Sequence, residues 1–368
     1  MTEVLLKELS NHDIDWMLTT GYQADIDAGT ILMSQGEPLD GLHIILDGGF
    51  SVSLNRDNGN PLGRAFAALE GAVPGREITR LSSGEMVGEV PFIETYLPST
   101  TVTATTKSLV LTVPKPQLMQ KLQEDLSFAA HIYRASAIML ANRLQQMMHS
   151  LGHSTIVLTR PQLREALTIF SQMHDSDIDW LIAAGRVEQV TENSVLIRSG
   201  RQIESLYILL DGAVVLNTGG SEENLLAKAF TNLESGLENN QNQVIEKELG
   251  RLSRGDIVGE TLFIEVETPL SMTVKALKNS RFLSIPKWRL TAKLLHDVGF
   301  AARFYRVLAN ILADKQREIV QRLGYGRLTY SSGESLQQVF ANELNNDFLS
   351  DMSLAGARFD WMLKKIGI

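Results

Sequence analysis

Apolar positions along the chain alternate between two periods. Leu5, Leu6, Leu9, Ile14 and Leu18 recur at the spacing of one helical face, and they predict a helical start. Beyond Gly21 the pattern shortens to β-rich runs bounded by glycine and aspartate, which predict a series of short strands. Asp47 and Gly48 separate two such runs, and the reading there is a tight hairpin turn, because both residues tolerate positive φ. Strands of this kind favour a sandwich or barrel that manages its own edges. The helical period then returns at Phe128, Ile132, Ala135, Met139, Leu140 and Leu144, a single apolar stripe on a long amphipathic helix.

The whole pattern occurs twice. "NHDIDWMLTTG" from Asn11 returns as "DSDIDWLIAAG" from Asp175, and "LHIILDGGFSV" from Leu42 returns at the same offset as "LYILLDGAVVL" from Leu206. After extra residues in the second copy, "SSGEMVGEVPFIE" matches "SRGDIVGETLFIE", and "FAAHIYRASAIMLANR" from Phe128 matches "FAARFYRVLANILADK" from Phe300. Asp211-Gly212 repeats the Asp47-Gly48 turn. The expected organisation is a first domain over 1–150, a linker over 151–160, a second domain over 161–326 and a helical tail over 327–368. In the repeated "DIDW", the aspartates read as helix-start caps and the tryptophan as core.

Composition narrows the class of function. A chain of 368 residues with 44% hydrophobic and 21% charged residues is globular in balance, and no apolar run reaches the length of a membrane span. The start, "MTEVLLKELSNHDIDW", carries acidic groups and lacks a positively charged opening, so the expectation is no secretory signal and a cytoplasmic protein. Zero cysteines exclude disulfides, thiolate nucleophiles and Cys-ligated metal. A net charge of -9 without a basic stripe opposes nucleic-acid binding, which depends on cations displacing counterions. The seven histidines lack the close pairing of a helix-borne metal site, since His149 and His153 are separated by Gly152, and neither a Walker loop nor a GxSxG motif occurs. The expectation is no enzyme, no metal and no cofactor.

The strand-borne "ILDG" and the "VGE" that opens a short helix resemble the cyclic nucleotide-binding domain, in tandem, from Met1 to about Gly326. The resemblance implies a mainly β fold with α: two β-rolls of the jelly-roll, double-stranded β-helix kind, each flanked by helices, with the helical tail after them. It also implies a phosphate-binding cassette. Helix-terminal N–H groups and an arginine hold the cyclic phosphate there, while a Gly-Glu pair supplies the carboxylate that accepts the ribose hydroxyl. Gly88 and Glu89 in the first copy and Gly259 and Glu260 in the second carry that pair. The arginine is absent: Pro98 and Leu270 stand in its place, and no lysine or arginine occurs from Leu81 to Thr106 or from Gly255 to Val274. Losing one charged or bidentate contact is worth roughly 1.5–3 kcal/mol or somewhat more, about tenfold to several hundredfold in affinity. Cyclic nucleotide binding is therefore disfavoured, unless a basic residue arrives from elsewhere in the fold. The hydroxyls of Ser99, Thr100 and Thr101, with Ser271 and Thr273 in the second copy, read either as solvent-facing strand residues or as a site for a neutral or zwitterionic ligand.

Both copies carry a helical insertion before the cassette, with Phe66 and Leu69 in one and Phe230 and Leu233 in the other. With the closing "FAARFYR" and "LGYG", these features resemble the cyanobacterial bacteriocin-type transport-associated family. That resemblance implies an adaptor, accessory to a peptide exporter, whose partner is a protein such as a transporter component, with no nucleic acid, no membrane insertion, and self-association left open. The tail is too short for a winged helix-turn-helix. It places Phe348, Met352, Ala355, Phe359, Met362 and Ile366 on one stripe, as a partner surface or as a terminal helix folded back on the second domain.

Overall fold

The computed structural model describes residues 2–54, 76–89, 97–150, 164–199, 201, 203–218, 248–259, 263–264, 272–324 and 346–368. The first repeat opens with helices α1 (Thr2–Glu8) and α2 (Asn11–Thr20). Eight strands follow: β1 (Tyr22–Ile26), β2 (Ile31–Met33), β3 (Gly41–Asp47), β4 (Gly49–Leu54), β5 (Arg76–Ser82), β6 (Met86–Val87), β7 (Thr101–Ala104) and β8 (Ser108–Pro114). Helices α3 (Lys115–Glu124) and α4 (Leu126–Ser150) close it. The second repeat runs α5 (Arg164–Gln172), α6 (Asp175–Ala184), β9 (Arg186–Val190), β10 (Val195–Ile197), β11 (Ser205–Asp211), β12 (Ala213–Thr218), β13 (Glu248–Ser253), β14 (Ile257–Val258), β15 (Met272–Ala276), β16 (Ser280–Pro286), α7 (Lys287–His296) and α8 (Val298–Gly324). The tail contributes α9 (Asn346–Lys365).

Each repeat folds its strands into two antiparallel sheets, ordered β1-β8-β3-β6 and β2-β7-β4-β5 in the first and β9-β16-β11-β14 and β10-β15-β12-β13 in the second. These are the two β-rolls with flanking helices that the hydrophobic periods predict. Alternation explains the layers: along β4, Phe50, Val52 and Leu54 turn inward while the residues between them are half exposed. Phe50, Val52, Leu81, Val102 and Ala104 from one sheet meet Ile45, Val87 and Val110 from the other in a common core. Leu209, Val214, Leu252, Val258, Val274 and Phe282 build its counterpart.

The Asp47-Gly48 reading needs correction. β3 and β4 lie in different sheets, so Gly48 marks a corner at which the chain changes layer, and no hairpin forms there. Positive φ is still required, at +98° for Gly48 and +117° for Gly212. Room is short as well, because a Cβ on Gly48 would stand 2.1 Å from the Ser108 hydroxyl.

The chain divides into two compact units whose borders differ from those of the repeats. Unit one comprises Met1–Gly152, Ser171–Met173 and Ala292–Leu354, and unit two His153–Phe170, His174–Thr291 and Ala355–Ile368. Within unit one the long helices α4 and α8 pack together, and the whole predicted stripe of α4 is buried. The Arg134 guanidinium of α4 pairs with Glu8 at 3.1 Å and lies 5.7 Å over the Tyr305 ring of α8. The "DIDW" cap forms as read, Asp13 accepting from the Ser10 amide at 2.8 Å and from its hydroxyl at 2.7 Å, whereas the tryptophans read as core are only half buried, Trp16 meeting Phe128 edge-on at 5.0 Å. In unit two, the stripe of α9 is used within the unit. Phe359 and Met362 are buried, Phe359 meets Phe170 at 5.5 Å, and Ile366 is half buried. Phe348 and Met352 fall on α9, with side chains outside the described residues, as are the insertion residues Phe66, Leu69, Phe230 and Leu233. No helix among the described residues is long and apolar enough to cross a membrane.

Candidate functional site

The first cassette is built on the turn between β5 and β6. Glu85 closes that turn, its carboxylate accepting the Ser82 amide at 2.7 Å, and Asp256 does the same for Ser253 at 2.7 Å in the second copy. β6 pairs with β3, setting Met86 against Ile44 and Val87 against His43. Gly88 then takes φ +90°, with Leu39 so close that a Cβ would sit 2.0 Å from its methyl group, and Gly259 takes φ +92°. Both constraints place Glu89 inside the protein, 4% exposed.

The residue that meets Glu89 comes from 54 positions further along the chain. Arg143 of α4 donates one terminal nitrogen to Glu89 and the other to the Met86 carbonyl, and its Nε lies 3.6 Å from Glu85 Oε1. Its side chain is 8% exposed. Two carboxylates and one guanidinium thus share a buried site, and the formal charges of these three groups sum to minus one. Among the described residues neither Arg143 Nε nor Glu85 Oε1 has a hydrogen-bond partner, so the ion pair between them is looser than the hydrogen-bonded pair with Glu89. α4 is fixed for this task at its start, where Asp125 accepts the Ser127 and Phe128 amides at 3.0 Å each. Lys121 at 2.8 Å from that carboxylate, together with those amides, holds Asp125 below the usual carboxylate range against the opposing effect of burial.

Sequence reasoning on the cassette windows missed Arg143, and the expectation of a cassette without a cation is corrected for the first repeat. The signal lay in the helix: Arg143 follows Met139 by four residues, on the stripe otherwise made of Phe128, Ile132, Ala135 and Met139. A guanidinium on an apolar face needs a buried acid, and Glu85 and Glu89 supply two.

The remaining predicted residues fall into place unevenly. Pro98, where the family's arginine is expected, is buried, and its carbonyl accepts the Gly36 amide at 2.9 Å. Thr100 is buried and Ser99 half buried. Thr101 and Thr273 are buried and not solvent-facing. The Thr101 hydroxyl accepts the Gln35 amide at 3.2 Å, and Thr273 repeats this with Ser199 at 3.3 Å. Both hydroxyls tie the loop after the second strand of their roll. His43, beside β6, bonds through Nδ1 to the Thr112 hydroxyl at 2.9 Å, and burial pushes its pKa below the ordinary 6.5 despite Asp40. Glu260 and Ser271 lie outside the described residues.

In the second cassette a helix carboxylate reaches the corresponding strand. Ile257, the counterpart of Met86, donates its amide at 2.8 Å to Glu165, a buried carboxylate of α5. A helix thus reaches the same strand in both repeats, with a cation on a carbonyl in one and an anion on an amide in the other. The position matching Arg143 is Lys315.

Among solved structures, the chain is similar to the regulatory domain of Toxoplasma gondii PKA with cAMP, at 16% identity over 85% of this chain and 92% of that one, TM-score 0.28. It is also similar to the regulatory subunit of a cAMP-independent protein kinase A from Trypanosoma cruzi bound to guanosine, at 15% identity over 80% and 81%, TM-score 0.26. A third likeness is to the N-terminal domain of a transcriptional regulator from Streptomyces coelicolor, at 18% identity over 42% of this chain and 94% of that one, TM-score 0.31. No curated protein matches the sequence significantly. The cyclic nucleotide-binding domain matches residues 24–125 and again 187–297, together more than half of the chain. With both matches falling on the two β-rolls, the chain belongs to the cyclic nucleotide-binding domain family and carries that domain twice.

Proposed function

We propose that this chain is a non-catalytic regulatory adaptor, working through protein contact, in which the first cassette is closed from within. The observation that carries the reading is the seat of Arg143 on Glu89. In a nucleotide-binding cassette that carboxylate would be available to a sugar hydroxyl. Here a sugar would have to displace a charge-assisted bond from a buried guanidinium, roughly twice as strong as a neutral one. A cyclic phosphate would also bring its charge toward a pocket that already sums to minus one. At roughly 8 Å and an effective dielectric of about 20, that repulsion is about 2 kcal/mol, or about thirtyfold in affinity. The missing arginine at Pro98 and Leu270 acts in the same direction. A cytoplasmic setting beside a bacteriocin-type peptide exporter fits the family resemblance of the tandem domains and tail, with a transporter component as the protein partner.

A second reading has its own observation. The Arg143–Glu89 pair joins the cassette to α4, so a ligand that took Glu89 would release that helix and favour another arrangement of it. Glu89, Ser99 and Thr100, with Gly88, are the groups such a ligand would meet first. Calorimetry with cyclic AMP, cyclic GMP and cyclic dinucleotides separates the two. The adaptor reading expects no heat of binding at micromolar nucleotide, and stoichiometric micromolar uptake of any of them would overturn it in favour of the sensor. Affinity capture from native cells tests the export setting, and recovery of partners without any transporter component would remove it.

A further inference from the structure

The internal duplication makes one surface interpretable, because among the described residues the chain covers it in one repeat and leaves it exposed in the other. In unit two, α9 lies on the face made by α5 and α6. Arg358 donates to the Asp175 carboxylate at 2.7 Å and to the Phe170 carbonyl at 2.8 Å, Lys365 pairs with Asp179, and Phe359 meets Phe170. Arg254 adds to the clamp, 3.7 Å from Asp360 and 5.4 Å over the Phe359 ring. At the constant offset between the repeats, Phe170, Asp175, Ile178, Asp179 and Ile182 correspond to Leu6, Asn11, Ile14, Asp15 and Leu18 of α1 and α2. The chemistry is retained: an apolar anchor, a polar acceptor, a second apolar residue, an identical aspartate and a third apolar residue. Even the carbonyl at the end of the first helix has its counterpart, since Leu6 precedes the end of α1 by two residues, as Phe170 does in α5.

Burial differs sharply. Phe170 and Ile178 are wholly buried, whereas Leu6 is 67% exposed, Ile14 half buried and Leu18 47% exposed. Asp15 and Asn11 are exposed beside them.

We propose that the α1–α2 face of the first repeat is a docking surface for an amphipathic helix of another protein, of the kind the chain supplies to its own second repeat. Such a helix carries a bulky apolar anchor directly after an arginine and a lysine six positions beyond the anchor, as Arg358, Phe359 and Lys365 do. The anchor covers Leu6, the arginine meets Asn11 and the Leu6 carbonyl, and the lysine meets Asp15. A second copy of this chain is the poorer occupant, because the helix it would offer already engages Asp175, Asp179 and Phe170 within its own unit two.

The test uses a labelled peptide of residues 346–368 as the probe, titrated into the full chain and followed by fluorescence anisotropy. One equivalent is expected to bind. Leu6→Asp and Asp15→Lys should each weaken it at least tenfold without changing thermal unfolding, since both side chains are exposed. A peptide carrying Lys365→Glu should recover binding to Asp15→Lys. The proposal is overturned by an absence of saturation, or by saturation that neither variant alters, which would mean the peptide had exchanged with the chain's own α9. It is equally overturned if the chain alone sediments as a dimer that Leu6→Asp dissociates, for the occupant would then be a second copy.

Discussion

Replacing Arg143 by methionine tests the internal closure most directly. Methionine keeps the length and the apolar stem on the α4 stripe and removes the charge. What remains is Glu89, 4% exposed, and Glu85, 1% exposed, each deprived of the guanidinium that faces it among the described residues. Breaking a buried ion pair by removing one member costs about 3–5 kcal/mol, because the surviving charge is left without compensation. For a unit of this size, about 2–4 °C of melting temperature goes with each kcal/mol, so the first unfolding transition should fall by roughly 6–20 °C. Adding Glu89→Gln to Arg143→Met should recover most of that loss, since a neutral amide is far cheaper to bury alone. Urea unfolding of the wild type, the two single variants and the double variant gives a coupling energy, expected at about 1–3 kcal/mol. If the single losses add to within about 0.5 kcal/mol, or if Arg143→Met costs under about 1 kcal/mol, the pair does not hold the cassette and the reasoning fails.

Three further outcomes follow from the same structure. Gly48→Ala forces a side chain into φ +98° and against Ser108, and should cost about 1–3 kcal/mol, while Ser108→Gly in the same chain relieves only the side-chain part of the contact and leaves the backbone strain, as thermal unfolding would show. Burial pushes the Asp13 carboxyl up, but hydrogen bonds from Ser10 and His131 outweigh it and leave the pKa below 3.8. The folded value thus lies below the unfolded one, so the contribution is whole above about pH 4 and fades as pH falls through the lowered value. The melting-temperature gap between wild type and Asp13→Asn should accordingly be widest near about pH 7 and close toward about pH 2. Phe359→Ala removes a buried ring from Phe170 and should cost unit two about 3–5 kcal/mol in denaturant unfolding, whereas Lys364→Ala, at an exposed position of the same helix, should cost under about 0.5 kcal/mol.

The duplication, the β-rolls and the long helices were written in local patterns, and local patterns are what a chain displays openly. A period of two on β4, a period of 3.6 on α4 and a constant offset between copies each involve residues close in sequence, so they could be read before any contact was known. The positive φ at Gly48 was legible for the same reason. Its use was not: whether Asp47-Gly48 reverses a strand or carries it to the opposite sheet depends on which strands pair, and β3 chooses β8 and β6 while β4 chooses β7 and β5. The tail shows the same division, since its apolar stripe announced a buried face while the choice of α5 and α6 as its partner was set by Asp175, Asp179 and Phe170 far away in the chain.

For the site, the sequence by itself determined the Gly-Glu pair, the loss of the family's arginine and the lack of any lysine or arginine in both cassette windows. Only the tertiary structure decided the charge balance of the first pocket, because a guanidinium 54 positions from Glu89 is brought to it by the packing of α4 against β5 and the roll. Electrostatic energy falls with distance in space and is indifferent to distance along the chain, so a window of sequence can count its own charges and still misjudge the field at its centre.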